Sequence, residues 1–564
     1  MAPRIILYLS YSEITGQQTS LEEFRKLLSK FPVRAVLLAC SLINCVLHSI
    51  INERDEGAHD QILLDLFPKA IADRLQLECR SEGRAVFHRQ QLLFVAREAL
   101  SCCREDASAG VESLGQGFGL ILLMANDLLV LPSLEDIGPF DKLIHTASQF
   151  IPIGEASGFH QPLDKIIRSH LVLSRFLDNN QINFQQAFAD KTGLSIEIFQ
   201  SLCFAAVVKF TGCTYALSRS NPSLVVLDEN YYADSAIAKE HIKCFFDDVG
   251  WELASAREYL ARKKPKYNDY TIFKDKPLVK VANAYCVVDL AFLIEKLESS
   301  LFWRVHASVQ PQQSNLVHSL WGKIFERYLN WFIEASVNHG VNRFIGWPKF
   351  ADSENEEVCD AIILCDDAAA FFEFKGSTFK AEAKYGGEPD LLKEEIDNKI
   401  IGTREQPNGA TQLMRSIEQV FDRRSPRLVK GIDLSHVRKV FPVVVTRDDI
   451  GSAWLINHYV SQRYRLLFCR KGLRKAQFAP IFLLAAEDVE KLGAYLSQVP
   501  IVELLEMRYR DDPKLLRSFW TAGDSILNKY QFRRSPVLEE AYKEFSGMVQ
   551  NKLGLVTPNS ASAV

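Results

Sequence analysis

The residues best able to do chemistry lie between positions 358 and 375, VCDAIILCDDAAAFFEFK. Most of this stretch is apolar, and Asp360, Glu373 and Lys375 interrupt it. Two carboxylates side by side repel unless a cation lies between them or one is protonated. Magnesium suits the first case, because it takes one or two carboxylates together with waters and phosphate oxygens. A lysine beside that cation can hold or deprotonate a water aimed at phosphorus, and can stabilise developing negative charge. Together the three groups are what hydrolysis of a phosphodiester needs. Glu-x-Lys alone usually marks a solvated strand face. Here it ends an Ala- and Phe-rich run, where burying unpaired charge is costly.

These groups need a hairpin to bring them together. Val358 to Leu364 reads as one strand, Asp366-Asp367 as the turn, and Ala369 to Lys375 as the second strand. Alternation puts Asp360, Ile362 and Leu364 on one face, and Phe371, Glu373 and Lys375 together on one face of the partner. Asp360 is then expected beside Glu373. Upstream, Leu320 to Phe332 reads as a helix with Ile324, Tyr328 and Trp331 on one face, and Glu326 sits among its aromatic residues. Downstream, Gly409 to Phe421 reads as a helix with Leu413, Ile417 and Val420 inward. Val440–Thr446 and Ala479–Leu484 read as further core strands, and Glu487–Leu492 opens another helix.

The order of these pieces resembles the restriction-endonuclease-like, or PD-(D/E)xK, nuclease superfamily. Glu326 lies on a leading helix, Asp360 on a strand, and Glu373-Phe374-Lys375 on the next. Cys359 stands where the family name implies proline, at a position that varies widely. The resemblance covers about residues 306 to 500. It implies that Asp360, Glu373 and Glu326 bind Mg²⁺, or Mn²⁺ in its place, and that Lys375 serves the nucleophilic water. Gln412 matches the polar residue that many members carry near the site. It further implies a metal-dependent nuclease, with DNA and endonucleolytic action favoured, and by analogy an effector of bacterial antiviral defence. Two rival readings remain. One is a nuclease fold kept for nucleic-acid binding or scaffolding without turnover. The other is a helical interaction protein carrying the motif by chance, which an α/β core at 320 to 490 would exclude.

A net charge of −4 over 564 residues excludes bulk basicity, so any phosphate-binding surface must be local. Gly451 to Ala486 has no acidic residue but carries Arg463, Arg465, Arg470, Lys471, Arg474 and Lys475, interleaved with Tyr464 and Phe468. This is the expected nucleic-acid-binding patch. Arg423, Arg424 and Arg427 form a second cluster, and Arg262, Lys263, Lys264 and Lys266 a third.

The first 300 residues read mostly as helices. Ser20-Leu-Glu-Glu23 is a capping box, and helical periodicity recurs at Lys69–Leu77, Arg89–Cys102, Lys165–Phe176, Ser195–Phe210 and Val287–Leu297. The glycines of Gly115-Gln-Gly-Phe-Gly119 are spaced wrongly for a phosphate loop and read as a turn. The 12 cysteines form no CxxC pair, so a zinc ribbon has no support and reduced thiols in a cytoplasmic setting are expected. Ala35 to Ile51 is apolar but carries Ser41, Asn44, His48 and Ser49, so a buried helix is expected and no membrane partner. The fold class follows as an all-α N-terminal module and an α/β restriction-endonuclease-like domain with a mixed central sheet and C-terminal helices. The expected boundaries are 1–305 for a sensing or regulatory helical module, 306–500 for the nuclease-like domain, and 501–564 for a helical extension with a disordered tail. A protein partner for the helical module, and a homo-oligomer, are compatible with this organisation.

Overall fold

A computed structural model describes residues 8–51, 57–82, 84–129, 138–154, 162–177, 181–337, 340–450, 454–468, 472–507 and 534–555. The N-terminal half is largely helical. Ser20 accepts from the Glu23 amide while Glu23 returns to the Ser20 amide, which opens the helix Leu21–Leu28. The helix Arg89–Cys102 falls where its periodicity places it. The apolar helix Val33–Ile51 is buried from Val33 to Val46 apart from half-buried Arg34, packed in the core as expected. Among the described residues no single helix is long and apolar enough to cross a membrane. Only the pair Phe184–Thr192 and Ile196–Thr211, bent by 62°, passes such a test together. None of the described cysteines forms a disulfide.

This half is not all-α, which corrects the expectation. Val226–Leu227, Ala284–Val287, Leu278–Val281 and Gly250–Glu252 form a four-stranded sheet in that order. Its strands hold two to four residues, too few for a period-two pattern to show. Its hairpin turns at Ala282-Asn283, with Ala282 at φ 59°, where glycine or asparagine is the usual signal.

The helix Leu290–Ser308 runs past residue 306 and ends before Val309-Gln310. After the long helix Ser314–Ser336 comes a mixed sheet. Its order is Phe482–Ala485, Lys439–Thr446, Ala368–Lys375, Ala361–Cys365, Arg343–Gly346, with Gln477–Phe478 also paired to Lys439–Thr446. The first three strands run parallel and the last two are antiparallel to their neighbours. This α/β core excludes the reading of a purely helical chain. The strand Ala368–Lys375 is central and buried up to Phe374, which is why its apolar run is nearly continuous.

The last described helix, Pro536–Leu553, turns back to the N-terminal half. It packs on Pro162–Arg175 and Ile196–Thr211, and Glu544 pairs with Arg175 at 2.7 Å. The tail expected to be disordered lies outside the described residues.

Candidate metal and phosphodiester site

The hairpin forms in the expected register. Ala361 pairs with Phe372 and Cys365 with Ala368, leaving Asp366-Asp367 as a two-residue turn with Asp366 at φ 46°. Continuing the register by one step sets Asp360 across from Glu373. The Asp360 amide donates to the Phe372 carbonyl at 3.0 Å, and Asp360 Oδ2 accepts from the Phe374 amide at 2.5 Å. The Asp360 carboxylate is therefore fixed by the strand it faces.

Both carboxylates are removed from water, Asp360 at 7% exposure and Glu373 at 2%. Lys375 Nζ lies 2.9 Å from Glu373 Oε1, while Glu373 Oε2 is buried with no hydrogen-bond partner. Burial, then the charge of Glu373, pushes the Asp360 carboxyl up to about 8. Burial also raises Glu373, and Lys375 pulls it back. A buried acceptor with an empty lone-pair site costs about 1–3 kcal/mol, so this pair is built at the expense of stability.

Two helices complete the cluster. Gly376 follows Lys375 directly, and a Cβ there would sit 2.8 Å from Phe325 Cβ and 3.0 Å from Gly322 Cα. That close approach seats the helix Ser314–Ser336 against the strand end and brings half-buried Glu326 toward Asp360. Burial, then the Asp360 charge, raises Glu326 to about 7. Asn408 caps the helix Gly409–Val420, with Thr411 Oγ1 accepting from the Asn408 amide at 3.0 Å. Gly409 sits at φ 41° with the Ile400 carbonyl where a Cβ would be, so this entry requires glycine. One turn on, Gln412 Oε1 accepts from Lys375 Nζ at 3.4 Å, the long end of hydrogen bonding.

Thus Asp360, Glu373, Lys375 and Gln412 converge from three elements. Glu326 faces them electrostatically but makes no hydrogen bond with its own carboxylate among the described residues. Among the described residues no three His, Cys, Asp or Glu side chains are grouped to hold a metal ion as they stand. The donor set still fits a hard cation, because magnesium asks for only one or two carboxylates. Two facing carboxylates with raised pKa and an orphan oxygen are groups that a cation would satisfy.

Two neighbours carried no signal in the sequence. Exposed Glu357 adds negative potential at Glu326, Asp360 and Glu373. Trp347 is 43% exposed, sits at φ 46°, and donates its amide to the Asp360 carbonyl at 2.9 Å. A bulky residue in the left-handed region is strained, and such strain concentrates at functional sites.

The residues of the expected basic patch differ in their surroundings. Arg474 stacks on Phe421 at 4.7 Å and donates to the Leu434 and Ser435 carbonyls, so it holds the fold together. Tyr464 and Phe468 are buried and stacked on each other at 5.2 Å, because residues four apart on a helix share its inner face. They cannot stack on bases. Arg463 is half-buried; Arg465 and Lys475 are exposed. Arg470 and Lys471 lie outside the described residues. Arg427 of the second cluster is taken by Asp352 and Glu356, at 2.7 and 2.8 Å. In the third, Lys266 pairs with Glu388 at 2.6 Å.

No protein-family model matches the chain, and neither a curated protein nor a solved structure matches it.

Proposed function

We propose that the chain is a metal-dependent phosphodiesterase that cleaves nucleic acid, using Mg²⁺ or Mn²⁺. The supporting observation is the buried, cross-strand pair of Asp360 and Glu373, with an orphan oxygen on Glu373 and Lys375 bound to its other oxygen. Two facing acids in a strand core are less stable there than apolar residues would be, and a bound cation would offset that cost. Asp360 and Glu373 would hold the cation, with Glu326 as the third carboxylate. When bound, the cation supplies Lewis-acid polarisation of a phosphoryl oxygen and neutralises developing charge. Asp360 gives up the proton that its raised pKa retains near neutrality. Lys375, held between Glu373 and Gln412, presents a directed ammonium to the charge that develops at phosphorus.

DNA as substrate and cleavage of internal bonds come from the family resemblance. The rival reading is a nuclease fold that binds without turnover. Incubating purified full-length protein with plasmid DNA, linear DNA and RNA, in Mg²⁺, Mn²⁺ or EDTA, separates the two. We expect plasmid nicking or linearisation in either metal and none in EDTA. Binding of these substrates with no cleavage in any metal would support the rival.

A further inference from the structure

We infer that the cavity between the two halves is a binding site for a small nucleotide, a ligand with both an aromatic base and phosphates. The cavity has a volume of about 860 Å³, in the range of small-molecule sites. Its walls come from the helices Thr271–Asp275 and Leu290–Ser308 of the first half, and from His318 and the segment Ser377–Tyr385 of the second. This assignment stands apart from the nuclease proposal, because none of the carboxylates of that site lines the cavity.

One wall is aromatic. Trp303, His306 and His318 cluster there, with ring centroids of His306 and His318 5.0 Å apart and of Trp303 and His306 5.5 Å apart. A planar base can stack on such a surface.

The opposite side offers hydrogen-bond donors. Thr378 is 2% exposed and its hydroxyl is buried with no partner, although its backbone carbonyl accepts from Lys399 Nζ at 2.7 Å. This hydroxyl, beside the cavity, lacks a hydrogen bond, a cost that an acceptor reaching it would remove. Lys296 is 5% exposed; its ammonium donates to the Asp275 carbonyl and makes no carboxylate ion pair among the described residues. Lys380 is exposed at the rim. Of the acids on the walls, Glu295 is engaged by Lys274, Glu395 by Lys399, and Asp448 Oδ2 by the Phe379 amide at 2.8 Å, while Asp275 lies 4.0 Å from Arg304 and Glu382 is exposed. An anion entering here can draw on the ammonium groups of Lys296 and Lys380, and phosphate is the anion that uses several donors at once.

The test is calorimetric titration of the full chain with each of the four ribonucleoside triphosphates in EDTA, which removes any metal-site contribution. Adenosine and inorganic tripolyphosphate serve as half-ligand controls. At least one triphosphate should bind with Kd below about 100 µM, and both controls at least about tenfold more weakly. Thr378→Val keeps the side-chain shape and removes only the hydroxyl, so it should fold and weaken binding roughly three- to tenfold. Lys380→Glu, at an exposed position, should also weaken it without lowering Tm. Two results overturn the inference: no triphosphate binding tighter than about 1 mM, or wild-type affinity in both variants. A short single-stranded oligonucleotide that displaces the triphosphate one for one would overturn it too, by making the cavity part of a strand path.

Discussion

Lys375 bridges Glu373 Oε1 and Gln412 Oε1, so its removal tests chemistry separately from metal binding. Lys375→Ala leaves both carboxylates and relieves a cationic neighbour, so Mn²⁺ should bind as well as in wild type or better. Cleavage should fall by a factor on the order of a hundred, the scale of one positioned electrostatic or acid–base group. A time course beside a calorimetric titration checks both. Binding should also release protons. Asp360 sits at about 8 and Glu326 at about 7 without a cation, so Mn²⁺ uptake at pH 7 should expel between about one and two protons. Titration in two buffers of different ionisation enthalpy measures that number. Trp347→Ala should weaken single-strand binding on the order of tenfold if its exposed ring stacks on a base; unchanged affinity would leave only its backbone role. Asp360, Glu373 and Lys375 were legible in the sequence because charged groups interrupt apolar runs, whereas Gln412 was singled out only by the family resemblance. Trp347 and Glu357 were not, because their relevance comes from the edge strand and loop that pack beside Asp360.

At the scale of elements, caps and strand patterns were readable, whereas side-chain destinations within basic segments were not. Arg474 looks like its neighbour Lys475 in sequence, yet only Arg474 covers Phe421 and two carbonyls. Arg474→Ala should therefore cost about 1–2 kcal/mol of stability and Lys475→Ala under about 0.5, by urea denaturation. Likewise the short N-terminal strands escaped notice because two to four residues display no alternation. The cap of Arg89–Cys102 gives a pH prediction. His88 Nδ1 accepts from the Gln91 amide at 3.3 Å and Nε2 faces Asn126 Oδ1 at 3.0 Å, which requires the neutral ring. Burial lowers its pKa to about 4. The unfolded chain then binds the extra proton between pH 6.5 and 4, so this contribution is present above 6.5 and is lost as pH falls through that window. Up to about 3 kcal/mol is at stake. Thermal unfolding of wild type and His88→Asn across pH 4 to 7 should show a steeper acid loss in wild type.

Across the whole molecule, the two halves are joined by a buried ionic network. Arg168, from the N-terminal helices, meets Glu490 at 2.7 Å and Glu298 at 2.8 Å, while Tyr328 on the Glu326 helix donates to Glu490 at 2.6 Å. Nothing in the sequence linked residues so far apart. Arg168→Ala leaves Glu490 buried without its cation and should cost about 3–5 kcal/mol. The loss should appear in one shared unfolding transition of both halves by calorimetry, because the network spans them. The molecule thus seats a two-carboxylate, one-lysine site on a sheet whose leading helix is pinned to the N-terminal half. The decisive comparison is wild type against Glu373→Gln, with Mn²⁺ titration and plasmid cleavage run on the same preparations. Gln keeps the size and removes one charge. Wild type should bind Mn²⁺ and cut; Glu373→Gln should fold, bind Mn²⁺ at least about tenfold more weakly, and lose cleavage. Full cleavage by a folded Glu373→Gln would contradict a metal-dependent site at this pair.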